Sequence, residues 1–176
     1  MKFYSGFSLS NDIKLFDAYL KVSDYTVAGF SYGAIKAFKE VLATKSRVDT
    51  LQLFSPAFFQ NKSDTFRRTQ KIYFSKDKKS YLENFSSACF LPAKMDDKIV
   101  LEGGSAQELD ELLDFVWKGD ELQSLCKRGI TVEVYLGSED QIIDTKKVKE
   151  FFLPYATTYM INHAGHTLQT KTDEGE

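Results

Sequence analysis

The sequence predicts an α/β fold with a mostly parallel sheet flanked by helices, and three observations carry that prediction. Apolar runs of strand length recur along the chain, and stretches with helically spaced apolar residues lie between them. The chain has 176 residues, room for one domain around a single core. Its composition, 43% hydrophobic and 27% charged, is that of a folded globular chain rather than a disordered one. In such sheets functional groups collect at the carboxyl ends of the strands, so the residues following each strand matter most.

Residues 2–4 form a short aromatic segment that stops at the turn signal Ser5-Gly6. Asn11 or Asp12 is placed to cap a helix that carries Ile13, Leu15, Phe16, Tyr19 and Leu20 at near-helical spacing. Residues 25–30 (Tyr-Thr-Val-Ala-Gly-Phe) are the compact apolar run of a buried parallel strand. Residues 32–43 follow with Ala34, Ile35, Ala37, Phe38, Val41 and Leu42 on a helical pattern, and 49–55 return to strand character before Pro56.

From about 57 to 101 the alternation breaks. This insert is rich in aromatics, among them Phe58, Phe59, Phe66, Tyr73, Phe74 and Tyr81. It is also locally basic, with Lys62, Arg67, Arg68, Lys71, Lys76, Lys78 and Lys79 against Asp64 and Asp77. An acidic helix is expected over 105–118, burying Leu109, Leu112, Leu113, Val116 and Trp117. Residues 130–136 make a strong strand ending at Gly137, a helix spans about 145–152, and a last strand, 157–161, leads to Asn162-His163-Ala164-Gly165-His166. The polar tail 171–176 is expected to fray, leaving 1–170 as one domain.

The net charge of −2 gives no global basic field, so nucleic acid is not an expected partner. Cys89 and Cys126 form no CxxC pattern, and two histidines are too few for most metal sites. No apolar run has the length of an export signal or a membrane span, which makes the cytoplasm the expected location and a membrane an unexpected partner.

Gly29-Phe30-Ser31-Tyr32-Gly33 is a G-x-S-x-G pentapeptide set between a predicted strand and a predicted helix. The chemistry is steric first: the reversal is so tight that glycines two residues either side are needed to avoid Cβ collisions, and the serine is left in a strained conformation at the bend. A serine hydroxyl needs an imidazole to take its proton. His166, after the last strand, is favoured over His163, which has a structural reading. The imidazole needs a carboxylate, and Asp140 in Gly137-Ser138-Glu139-Asp140 is the leading choice, with Glu139 and Asp144 as alternatives. The Tyr32 N–H is the expected first donor of an oxyanion hole, and the second comes from Phe7 or Gly6 in the loop after the first strand.

With Ser31, Asp140 and His166 in that order, the sequence resembles the α/β-hydrolase superfamily over nearly its whole length. It departs from that pattern in starting at the strand that leads to the oxyanion loop, without the usual antiparallel hairpin, and so looks like a trimmed member with a helical lid at about 57–101. Among compact members it is most similar to the pimeloyl-[acyl-carrier protein] methyl ester esterases of the BioV type. The similarity lies in the start Lys2-Phe3-Tyr4-Ser5-Gly6-Phe7, the Gly-Phe-Ser-Tyr-Gly elbow and the compact lid after Ser55-Pro56.

The resemblance implies a serine carboxylesterase that frees the ω-carboxylate of an acyl chain carried by acyl carrier protein, in biotin synthesis. It needs no cofactor, only side chains and water. Acyl carrier proteins are acidic, so Arg67, Arg68 and Lys71 become expected docking residues, and the lid aromatics an expected acyl slot. A thioesterase or acyltransferase using the same triad, and a non-catalytic binding protein on the same scaffold, are the alternatives.

Overall fold

The computed structural model describes residues 1–95, 98–101 and 103–171. In chain order these form β1 (Lys2–Tyr4), β2 (Leu9–Ser10), a 3-10 helix (Asp12–Phe16), β3 (Thr26–Phe30), α1 (Tyr32–Ala43) and β4 (Thr50–Phe54). Next come α2 (Asp64–Lys76), α3 (Lys78–Phe90), β5 (Val100–Leu101), α4 (Ala106–Asp114) and α5 (Gly119–Lys127). The last elements are β6 (Thr131–Gly137), α6 (Thr145–Phe152) and β7 (Thr157–Ile161). Five strands make one parallel sheet in the order β1-β3-β4-β6-β7, while β2 and β5 form a separate antiparallel pair.

Side-chain alternation divides the sheet into two unlike faces. Val27, Leu51, Leu53, Val132 and Val134 pack in one cluster with apolar residues of α1, α5 and α6, such as Ile35, Leu122 and Phe152. Ala28, Phe30, Phe54 and Tyr135 belong to the second cluster, with Phe16 of the 3-10 helix, Cys89 and Phe90 at the end of α3, Ile99 and Leu168. Phe16 is the plug of this second face, its ring stacked 4.5 Å from that of Phe54 and 5.0 Å from that of Phe30. Burial on both faces explains why β3 reads as an unbroken apolar run.

The second face also holds a buried polar cluster at the Gln52↔Glu133 register. Gln52 Nε2 donates to the Tyr19 carbonyl (3.0 Å) and lies 3.1 Å from both Glu133 Oε2 and the Tyr135 hydroxyl. Tyr135 donates to Glu133 Oε2 at 3.0 Å, Lys21 N donates to Gln52 Oε1 at 2.9 Å, and Lys21 Nζ pairs with Glu133. Each buried polar group thus has a partner, the condition for such a cluster to be tolerated. Its effect is to tie the segment after the 3-10 helix onto the sheet.

Two expectations change. The helix predicted after Asn11 is only a five-residue 3-10 turn, because Asn11 is left-handed (φ 64°) and makes no side-chain cap. Asp12 is fully buried instead, and its carboxylate bonds the loop after β1. The acidic helix predicted over 105–118 ends at Asp114. It starts with a capping box between Ser105 and Glu108, but Phe115 and Lys118 are extended, and α5 opens as a second helix. The break turns Val116 outward, 52% exposed, while Trp117 stays buried with Nε1 donating to the Ala57 carbonyl at 2.8 Å. The signal for α5 was present in Asp120 and Glu121 at a helix start and Leu122 and Leu125 three apart.

The insert folds as the α2–α3 hairpin and ends in β5, which pairs with β2. The fraying expected of the tail concerns residues 172–176, outside the described residues, with Lys171 at the boundary. Among the described residues no helix is long and apolar enough to cross a membrane.

Candidate active site

Ser31 stands between β3 and α1 with φ 52° and ψ −112°, a conformation that side chains rarely adopt. The surrounding structure fixes it. Ser31 N–H donates to the Phe54 carbonyl (2.9 Å), and its own carbonyl accepts from Ala34 (3.1 Å) and Ala57 (3.2 Å). The flanking glycines follow from contact distances: a Cβ on Gly29 would lie 2.2 Å from the Gly33 carbonyl oxygen, and one on Gly33 would lie 2.0 Å from that of Tyr4. Gly33→Ala therefore wedges α1 away from the end of β1. The expected cost is about 1–3 kcal/mol, read as a lower urea midpoint at unchanged slope. An unchanged midpoint would show that the two elements part freely.

His166 is completely buried after β7, on a loop that needs Gly165: a Cβ there would sit 1.7 Å from the Leu91 carbonyl oxygen. Its Nε2 lies 3.0 Å from Ser31 Oγ and its Nδ1 lies 2.7 Å from Asp140 Oδ2. With a carboxylate as acceptor, Nδ1 carries the proton and Nε2 is left to accept from the serine. Asp140 Oδ1 accepts the N–H groups of Ile142 (2.8 Å) and Ile143 (3.1 Å), so the loop after β6 sets the carboxylate's orientation. The competing residues lie elsewhere. His163 is exposed, with Nδ1 3.1 Å from Glu139 Oε1, and Asp144 caps α6 through the Lys147 N–H at 3.2 Å.

Tyr32 begins α1, so its N–H has no acceptor within the helix and lies at the positive end of the helix dipole. Of the two donors considered in the loop after β1, Gly6 is already committed: its N–H donates to Asp12 Oδ2 at 2.8 Å. That leaves Phe7, whose ring is buried edge-on to Tyr32 at 6.4 Å and to Phe85 at 5.9 Å. The Tyr32 hydroxyl donates to Glu111 Oε2 at 2.8 Å, and Lys36 Nζ lies 4.3 Å from the ring centroid. Burial, reinforced by Glu111, pushes the Tyr32 phenol well above its ordinary range.

The expected docking cations are split. Arg67 pairs with Asp64 and approaches Asp114 (3.8 Å), and Lys71 pairs with Asp110 (3.1 Å) and Asp114 (2.6 Å). They bind α2 to α4, and Asp114 above all raises the pKa of the Lys71 ammonium. Arg68 alone of the three is exposed. Partners on the distant helix α4, Asp110 and Asp114, explain why the sequence displayed a basic patch where the structure has a helix–helix clamp.

A groove of about 560 Å³ runs along the lid hairpin beside Tyr73, Tyr81 and Phe85. A smaller chamber of about 170 Å³, lined by Phe59, Phe66, Leu112 and Leu113, shares Gln70, Tyr81, Phe85 and Ile142 with it. Ile142, whose N–H holds Asp140, thus joins this space to the acid loop.

A parallel sheet with a strained serine at one strand end, and acid and histidine on the loops after two later strands, is the fold of the α/β-hydrolases. Neither a known sequence family nor a curated protein matches the chain. Solved structures do. Carboxylesterase CesB from Bacillus subtilis is 17% identical, with a TM-score of 0.58 over 91% of this chain and 59% of that one. An esterase from Exiguobacterium antarcticum is 21% identical, with a TM-score of 0.62 over 88% of this chain and 64% of that one. E-2-(acetamidomethylene)succinate hydrolase is 9% identical, with a TM-score of 0.59 over 94% of this chain and 84% of that one. These likenesses establish the fold, and the chain spans about six-tenths of the length of the two esterases.

Proposed function

We propose that this protein is a serine carboxylesterase. The observation that carries the proposal is the unbroken relay from Ser31 Oγ through His166 to Asp140, anchored at its far end by two backbone N–H groups. Ser31 attacks the ester carbonyl as His166 Nε2 takes its proton; Asp140 stabilises the imidazolium; and the Tyr32 and Phe7 N–H groups receive the oxyanion. His166 then protonates the departing alkoxide, and water activated by the same ring cleaves the acyl-serine.

The substrate we propose is the methyl ester of a pimeloyl chain on acyl carrier protein. Three features support this reading: the sequence resemblance, the partly aromatic chamber adjoining the acid loop, and the exposed Arg68 on a helix that Arg67 and Lys71 clamp in place. The test compares methyl pimeloyl-carrier protein with p-nitrophenyl acetate. Methanol release is expected from the former. Release of a free carrier thiol would move the assignment to a thioesterase. Arg68→Glu is expected to lower kcat/KM for the carrier substrate about tenfold at low salt, because steering by complementary charge acts mainly on association. It is expected to leave the small ester untouched. Equal effects on both substrates would overturn the docking assignment.

A further inference from the structure

Asp12 is a carboxylate with no exposed surface, close to a reaction that does not use it. Oδ2 accepts the Gly6 N–H at 2.8 Å, while Oδ1, also buried, has no hydrogen-bond partner among the described residues. Burial pushes its pKa above the ordinary carboxylate value, although the Ser5 hydroxyl and the Gly6 N–H pull the other way. An arrangement so costly is not what helix capping requires, since the neighbouring Asn11 makes no cap and the 3-10 helix is one short turn.

The geometry of the loop explains what the carboxylate holds. The Ser5 carbonyl lies against α1, where a Cβ on Gly33 would come within 2.5 Å of its oxygen. The N–H on the opposite side of that same trans peptide is the one Asp12 takes. The next peptide is fixed by its carbonyl, because Gly6 O accepts from Leu9 N–H at 3.2 Å. Its N–H, that of Phe7, therefore points away from Leu9. Between the two peptides stands a glycine. Gly6 is required by packing, since a Cβ would meet the Phe30 ring at 2.7 Å. A glycine also lets neighbouring peptides rotate with little steric resistance. A buried acceptor on the first peptide suppresses that rotation, because a turn of the peptide would break the bond and leave both partners unsatisfied.

We propose that Asp12 is the positioning residue of the oxyanion loop: by holding the Ser5–Gly6 peptide against the elbow, it aims the Phe7 N–H at the oxygen of the ester carbonyl. The proposal rests on the esterase reading above. A misaimed donor is felt only where negative charge develops, so its loss falls on kcat rather than on KM.

The test uses the full chain, p-nitrophenyl acetate and a boronic acid that forms a tetrahedral adduct with the serine. Asp12→Leu and Asp12→Ala remove the acceptor, whereas Asp12→Asn keeps an acceptor oxygen of the same shape. Removal is expected to lower kcat at least about tenfold, toward the loss seen when an oxyanion donor is deleted. KM should stay within about twofold, and boronic acid affinity should fall in parallel with kcat. Asp12→Asn is expected to recover kcat to within about threefold of the parent. A lowered melting temperature with unchanged kcat in Asp12→Leu or Asp12→Ala would overturn the proposal and leave Asp12 a folding residue. So would an Asn variant that loses turnover; this variant stands as a test even where the other two fail to fold. Ser31→Ala, run alongside, separates this failure from that of the esterase reading, because turnover that survives it removes the reading itself.

Discussion

Ser31→Ala is expected to lower ester turnover by at least about a thousandfold, with the fold intact. The size follows from what the substitution removes. Among the described residues, Ser31 Oγ is the one side-chain oxygen within hydrogen-bond reach of His166 Nε2, at 3.0 Å, and without it the imidazole has no nucleophile to activate. Water bound in its place can react, but without the covalent intermediate that divides one difficult step into two. The main-chain bonds that hold the elbow do not involve the hydroxyl, so stability is expected to stay within about 1 kcal/mol. The alanine keeps a positive φ that it adopts no less readily than serine. Turnover of p-nitrophenyl acetate by purified protein, with labelling by a fluorophosphonate in parallel, measures the effect. Undiminished turnover would refute the esterase assignment.

Asp140→Asn is expected to be nearly as severe, about 1,000- to 10,000-fold in kcat, although it changes one atom and no shape. Both carboxylate oxygens are occupied. Oδ1 accepts two backbone N–H groups, and Oδ2 accepts from His166 Nδ1. Asparagine has one oxygen, and the backbone donors on the loop claim it, because turning the amide NH2 toward them would set donor against donor. The NH2 therefore faces His166, whose Nδ1 must now accept and so loses its proton. The proton moves to Nε2, the nitrogen that has to receive hydrogen from Ser31. The imidazole is then held in the wrong tautomer. Steady-state kinetics check this, with KM expected to change little. A drop of less than about tenfold would mean that His166 keeps its working tautomer without the charge.

Much of this site was legible because local rules and tertiary structure agree. The G-x-S-x-G spacing encodes a collision that glycine avoids, and the structure shows it as a 2.0 Å approach to Tyr4. Gly165 before His166 encodes another, at the Leu91 carbonyl. The alternation of apolar runs with helical patterns placed β3, α1, β4, β6, α6 and β7, most plainly at β3, which is buried throughout and reads as an unbroken apolar run. What escaped the sequence was partnership at a distance. Asp12 looks like a cap until Gly6 is seen to claim it, and Arg67 and Lys71 look like a docking patch until Asp110 and Asp114 arrive from α4. The break at Phe115 accompanies Trp117 reaching the Ala57 carbonyl, a contact with no trace in helical periodicity.

The unlike coverage of the two sheet faces bears on how the molecule meets heat. On one face, helices of full length must come away together before strands are exposed. On the other, the segment from Asp12 to Lys21 is seated by the Phe16 ring, by Leu15, Tyr19 and Leu20 packed beside it, by the Gln169 amide donating to the Leu15 carbonyl, and by the polar tie at Gln52 and Glu133. Such a patch can lift as a cooperative unit of its own, at a free energy below that of global unfolding. It is also the patch that carries Asp12, and with it the hold on the Gly6 N–H in the loop after β1. Heating is therefore expected to cost turnover before the sheet itself unfolds, because this patch loosens first.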